Sequence, residues 1–122
     1  MAKIAIEDMH FVPKAWGFER WICNSDKYCG KLLHINSGHF SSWHKHNIKD
    51  EHMVVQSGIL EILYGDDDDI DKATSVLVHP GQAFHIPVGL RHRLKATYGD
   101  VEFLEVSTTH YDSDSIRVIP GQ

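Results

Sequence analysis

Apolar and polar residues alternate in short runs along most of the chain. Gly17 to Cys23, Lys31 to Ile35, Glu51 to Gln56, Ile59 to Tyr64 and Ser75 to Val78 are rich in β-branched or aromatic residues. So are Ala83 to Ile86, His92 to Ala96, Val101 to Val106 and Ile116 to Ile119. Residues two apart share one face of an extended chain, so such runs read as strands with one buried face. Turn formers separate them: Asn36-Ser37-Gly38, Pro80-Gly81, Pro87-Val88-Gly89 and Tyr98-Gly99-Asp100. No stretch after residue 15 carries the 3.6 period of an amphipathic helix. Short strands recurring about every ten residues predict an all-β sandwich, jelly roll or barrel around one core.

A length of 122 residues fits a single domain over 1–122, with its barrel core expected from about 15 to 119. The balance of 42% hydrophobic and 24% charged residues is that of a globular chain. No run approaches the ~20 apolar residues of a bilayer span. The opening MAKIAIEDMHFVPK lacks the basic and apolar blocks of a signal peptide, so a cytoplasmic chain is expected. The formal charge of −5 resides in Asp66, Asp67, Asp68, Asp69 and Asp71, without which the remainder is neutral. No cluster of Lys or Arg is left to attract a phosphate backbone or an anionic membrane, so neither nucleic acid nor membrane is an expected partner. The aspartates lack EF-hand spacing and read as a solvated loop. Cys23 and Cys29 fit neither a CxxC redox motif nor a cysteine zinc site, and read as free thiols.

The ten histidines change the picture, because imidazole is the commonest transition-metal ligand. His44 and His46 are two apart, so on an extended segment both rings project to one face while Lys45 points away. A turn over Asn47 to Asp50 returns the chain and lets Glu51 offer a carboxylate oxygen to the same ion. His92 follows Pro87-Val88-Gly89 and starts a run that places Leu94 and Ala96 on its own face. These four residues form a candidate divalent-metal site.

In this arrangement the chain resembles the cupins, whose first motif reads G(X)5HXH(X)3-4E(X)6G. Gly38, His44, His46, Glu51 and Gly58 match it in full. The second motif, G(X)5PXG(X)2H(X)3N, is matched by Gly81, Pro87, Gly89 and His92, with Ala96 where the family has Asn. The resemblance implies an all-β cupin jelly-roll barrel (double-stranded β-helix) of two antiparallel sheets. It also implies that His44, His46, Glu51 and His92 hold one divalent transition metal: zinc, manganese, iron, cobalt or nickel. Nitrogen and carboxylate donors suit all five, and a six-coordinate ion would keep two positions open for water or substrate. Lowering the pH through the range near 6 is expected to release the ion as imidazoles protonate.

A narrower resemblance is carried by Ala15-Trp16-Gly17-Phe18-Glu19, Cys29-Gly30-Lys31-Leu32-Leu33-His34, Pro80-Gly81-Gln82, Ile86 to Arg93 and Glu105-Val106-Ser107, with Asp112, Asp114 and Arg117 echoing a closing acidic segment before an arginine. These are similar to the cupin domain of type II mannose-6-phosphate isomerases. That family generally has two residues where this chain has four between His46 and Glu51. The implied activity is metal-dependent isomerisation of a sugar or sugar phosphate. The metal would act as Lewis acid and a base would move a proton between adjacent carbons. His34 and Glu105 are the catalytic candidates. Lys31, Arg91 and Arg93 are the candidates for holding a phosphate, although Arg91 and Arg93 alternate away from an inward His92. The aromatic residues Trp16, Trp21, Trp43, Phe84 and Phe103 receive no substrate role. The alternatives within the same ligand set are a non-haem iron dioxygenase and a non-catalytic module that binds a sugar or other small molecule. A homodimer is the assembly the family implies.

Overall fold

Eleven strands and two short 3-10 turns span residues 4–122, which the computed structural model describes. Nine strands coincide with the alternating runs, their ends moved by up to two residues: β2 (Gly17–Asn24), β3 (Cys29–Ile35), β5 (Glu51–Ser57), β6 (Leu60–Gly65), β7 (Thr74–Val78), β8 (Ala83–Ile86), β9 (Arg91–Lys95), β10 (Val101–Ser107) and β11 (Ser115–Ile119). Two more appear where alternation is weak. β1 (His10–Lys14) begins ahead of the expected core boundary at 15. It is an edge strand, where Pro13 is tolerated and Phe11 stays half exposed. β4 (Trp43–His46) is four residues long and, apart from Trp43, basic or imidazole.

All pairings are antiparallel. One sheet has six strands in the order β1-β2-β3-β10-β5-β8, and the other five in the order β11-β4-β9-β6-β7. The sheets face each other across one core, to which the first contributes Leu33, Val55 and Phe103 and the second Leu60, Ile62 and Leu94. Burying each such side chain contributes roughly 1.5–3 kcal/mol.

Inward rows change character along the strands. Register places Ile35 opposite Val101, then Leu33 opposite Phe103, then Lys31 opposite Glu105, and finally Cys29 opposite Ser107. The same progression runs along β5 from Val55 through Met53 to Glu51, and along β9 from Ala96 through Leu94 to His92. One end of the barrel is therefore hydrocarbon and the other a polar cavity of about 800 Å³. The hydrocarbon end fixes the backbone, and the polar end carries the chemistry.

Gly58 turns the chain between β5 and β6. Its φ is +79°, and a Cβ there would stand 2.3 Å from the Asp100 carbonyl oxygen. Glycine is demanded both by conformation and by this close approach.

The acidic loop uses its carboxylates locally. Asp67 accepts from the Asp69 N–H and from Lys72, Asp69 accepts from the Asp71 N–H, and Asp68 takes the Arg91 Nε–H at 2.9 Å. Cys23 and Cys29 are free thiols. Among the described residues no helix is long and apolar enough to cross a membrane.

Candidate metal centre

Strand pairing brings the histidines together. β4 lies beside β9 with His44 directly opposite His92, and alternation puts His46 on the cavity side as well. The ring centroids of His44 and His92 are 4.2 Å apart, and those of His44 and His46 are 5.0 Å apart. One ligating atom from each of the three lies within 4.8 Å of the other two. Glu51, at the start of β5, approaches from the facing sheet. Its carboxylate oxygens stand 3.3 Å from His46 Nε2 and 3.7 Å from His92 Nε2.

The far side of each ring assigns its tautomer. His44 Nδ1 donates to the Ser42 carbonyl at 2.9 Å, His46 Nδ1 to the Asp114 carbonyl at 3.1 Å, and His92 Nδ1 to the Leu90 carbonyl at 3.0 Å. Carbonyls only accept, so the proton sits on Nδ1 and Nε2 carries a lone pair. Three lone pairs and a carboxylate then face one another. His92 Nε2 and Glu51 Oε2 are buried without any hydrogen-bond partner, an arrangement that is costly unless a cation lies between them. A divalent ion with nitrogen and oxygen preference fits this donor set.

Burial drives the His46 and His92 pKa values down to about 4, and His44 well below the ordinary imidazole value. Burial, reinforced by the nearby Glu105 charge, raises Glu51 to about 8. A proton therefore competes with a cation for the Glu51 oxygens near neutral pH.

The turn joining β4 to β5 is clamped by Asp114. Its buried carboxylate accepts the backbone N–H groups of Asn47, Ile48 and Lys49 at 2.9, 3.0 and 2.9 Å. The same residue's carbonyl orients His46. The clamp aims the Lys49 side chain into the cavity, where Nζ donates to Glu105 Oε2 at 3.1 Å. Burial raises the Glu105 pKa, but Lys49 and Lys31 outweigh it and hold that carboxyl at about 2. A second interior pair joins Lys31 Nζ to Glu19 at 3.6 Å, with the ammonium 4.2 Å over the Trp21 ring.

Of the other candidates, Glu105 and Lys31 line the cavity, whereas His34, Arg91 and Arg93 do not. His34 lies on the opposite face of β3, stacked on Phe18 at 5.1 Å and bonded to Glu102 at 3.1 Å. Alternation from the inward Leu33 turns its side chain away from the cavity. Arg91 pairs with Asp68 of the acidic loop, and Arg93 packs over Phe40 at 4.4 Å. Both flank His92 and point away for the same reason. Trp16 and Trp21 do line the cavity, while Trp43 is buried and donates to the Asp68 carbonyl.

Lys49, Glu19, Asp114 and the cavity lining of Arg117 were not among the expected site residues. Lys49 sits in a turn, and its direction depends on an aspartate 65 positions away. For Asp114 and Arg117, the only available signal was their place in the acidic segment before an arginine.

Comparison with known proteins is consistent with this architecture. The family model described as mannose-6-phosphate isomerase C-terminal matches residues 3–119. The xanthan biosynthesis protein XanB of Xanthomonas campestris pv. campestris (strain B100) is 28% identical over 109 residues. That match covers 87% of this chain and 22% of the relative, so the chain spans under a quarter of that protein. Among solved structures, the capsular polysaccharide assembling protein CapF from Staphylococcus aureus superposes with a TM-score of 0.77 at 19% identity, over 89% of this chain and 34% of that one. Bacillus subtilis oxalate decarboxylase gives 0.77 at 19%, over 90% and 30%. KdgF from Halomonas sp. gives 0.71 at 17%, over 88% and 90%. At these identities the structural neighbours speak for the fold.

Proposed function

The chain belongs to the mannose-6-phosphate isomerase C-terminal family of cupins, and on that premise we propose that it is a metal-dependent isomerase of a sugar or sugar phosphate. The observation that carries this reading is the set of inward lone pairs on His44, His46 and His92 beside the unpartnered Glu51 oxygen in a polar cavity. The histidine Nε2 atoms and a Glu51 oxygen would hold the ion. A bound divalent metal supplies Lewis acidity toward the carbonyl and adjacent hydroxyl oxygens of an aldose or ketose.

The protein's own part is proton movement and orientation. In this reading Glu105, which lines the cavity and is held ionised by Lys49 and Lys31, takes the proton from C2 of an aldose and returns it to C1. One further proton passes from the C2 hydroxyl to O1, so the sum is a rearrangement with no net gain or loss of atoms. Lys49 holds Glu105 in position and in its charged form. His34 has no part in this step.

Purified chain loaded in turn with manganese, cobalt, zinc or ferrous iron and given mannose 6-phosphate without oxygen tests the reading. Fructose 6-phosphate should appear, and Glu105→Gln should lower kcat by about a hundredfold or more at unchanged metal content. In a parallel aerobic run, oxygen uptake that depends on ferrous iron would replace the reading with a dioxygenase. Sugar binding without conversion would replace it with a binding module.

A further inference from the structure

Lys14, Lys31 and Arg117 reach the cavity from strands, whereas Lys49 reaches it from the turn joining β4 to β5. Lys49 is 2% exposed, and among the described residues its ammonium has one acceptor, Glu105 Oε2 at 3.1 Å. An ammonium carries three N–H donors, so two are left without a protein acceptor in a cavity that has room for a substrate. Glu105 is divided in the same way. Ser107 Oγ donates to the same Oε2 at 3.2 Å, and Oε1 takes no donor among the described residues.

Register sets where these groups stand. β10 lies against β5 with Glu105 opposite Met53 and Ser107 opposite Glu51. Glu105 and Glu51 are thus diagonal neighbours on the inward face, with their backbones about 7–8 Å apart. Lys49 is anchored two residues before Glu51 and bonded at its tip to Glu105. Its side chain therefore runs from the segment that carries the candidate metal carboxylate to the carboxylate proposed as base.

Isomerisation would create charge at this place. When Glu105 takes the C2 proton of an aldose, the C2–H electron pair forms the C1=C2 bond and the carbonyl pair moves onto O1, leaving an enediolate with its negative charge on oxygen. A donor fixed in place before the reaction contributes most where charge develops. Burial and the bond to Glu105 fix the Lys49 ammonium in this way.

We propose that Lys49 is the oxyanion donor of the reaction, its two remaining N–H groups bonding the enediolate oxygens while the third holds Glu105. This rests on the isomerase reading and adds to it a residue that touches the substrate.

The test is calorimetric titration of the hydroxamate of arabinonic acid 5-phosphate, whose two adjacent oxygens copy the enediolate, into the zinc-loaded full chain. Glu105→Gln is compared with Glu105→Gln/Lys49→Met. With the base removed Lys49 cannot act through it, and the double variant leaves neither charge buried alone. In that background Lys49→Met should weaken the hydroxamate by about tenfold or more, the size of one charge-assisted hydrogen bond, at matching melting curves and zinc contents. Equal affinity, or no binding to either protein, overturns the proposal and leaves Lys49 as the holder of Glu105. A second arm keeps Glu105 and measures mannose 6-phosphate turnover. Lys49→Gln should lower kcat at unchanged KM, with Lys49→Arg recovering part of the loss, and an unchanged kcat overturns the proposal. Turnover by wild type together with hydroxamate binding that ignores Lys49 removes the proposal alone. No turnover with any of the four metals removes the isomerase reading and the proposal with it.

Discussion

At the scale of single residues, the site is a set of groups that burial has made neutral and aimed at one point. The sign of the pH dependence follows for the metal-free protein. His46 and His92 titrate at about 4 when folded and near 6.5 when unfolded. Between those values the unfolded chain binds protons that the folded chain refuses, so stability falls as the pH drops from 6.5 toward 4, by about 3 kcal/mol per histidine. Glu51, raised to about 8, acts oppositely. Its contribution is complete below its unfolded value near 4.5 and is lost as the pH rises through 8. Three histidines outnumber one carboxyl below 6.5, and Glu51 acts alone above it. Urea denaturation of chelated protein should therefore show maximal stability between about pH 6 and 7. Asp114→Ala, which leaves three backbone N–H groups without their acceptor, should cost about 3 kcal/mol in the same assay, with Asp114→Asn recovering part of the loss.

At the scale of elements, alternation in the sequence identified nine strands and missed two. β1 is exposed along an edge, and β4 is legible as a strand only from the His44–His46 spacing. The metal candidates were readable because their spacing is local to two motifs. Lys49 and Arg117 were not, because their directions depend on pairings between distant segments, Lys49 with Asp114 at 65 positions and Arg117 with His44 at 73. Alternation did anticipate that Arg91 and Arg93 would face away from His92. The turns can be separated by substitution. Gly58→Ala combines an unfavourable φ with a 2.3 Å clash against backbone, whereas Gly89 has φ +88° and open space around it. Gly58→Ala should therefore destabilise by more than Gly89→Ala, whose cost is about 1 kcal/mol of backbone strain. Paired denaturation curves measure the difference.

For the whole molecule, the division into a hydrocarbon end and a polar end is what allows one small barrel to be both stable and reactive. The inward rows of both sheets change from apolar to polar, so the candidate cation site is supported from below by packed side chains and lies in the polar cavity above. Because the ion would bind only the folded chain, loading it should raise the melting temperature, and chelation should lower it. The most direct measurement is the metal-to-protein ratio of untagged wild type and His92→Ala, determined by elemental analysis after equilibration with manganese or zinc and extensive dialysis. One ion per wild-type chain and essentially none in His92→Ala is the expected result. Equal loading of the two, or none in wild type, would contradict a metal centre at His44, His46, Glu51 and His92.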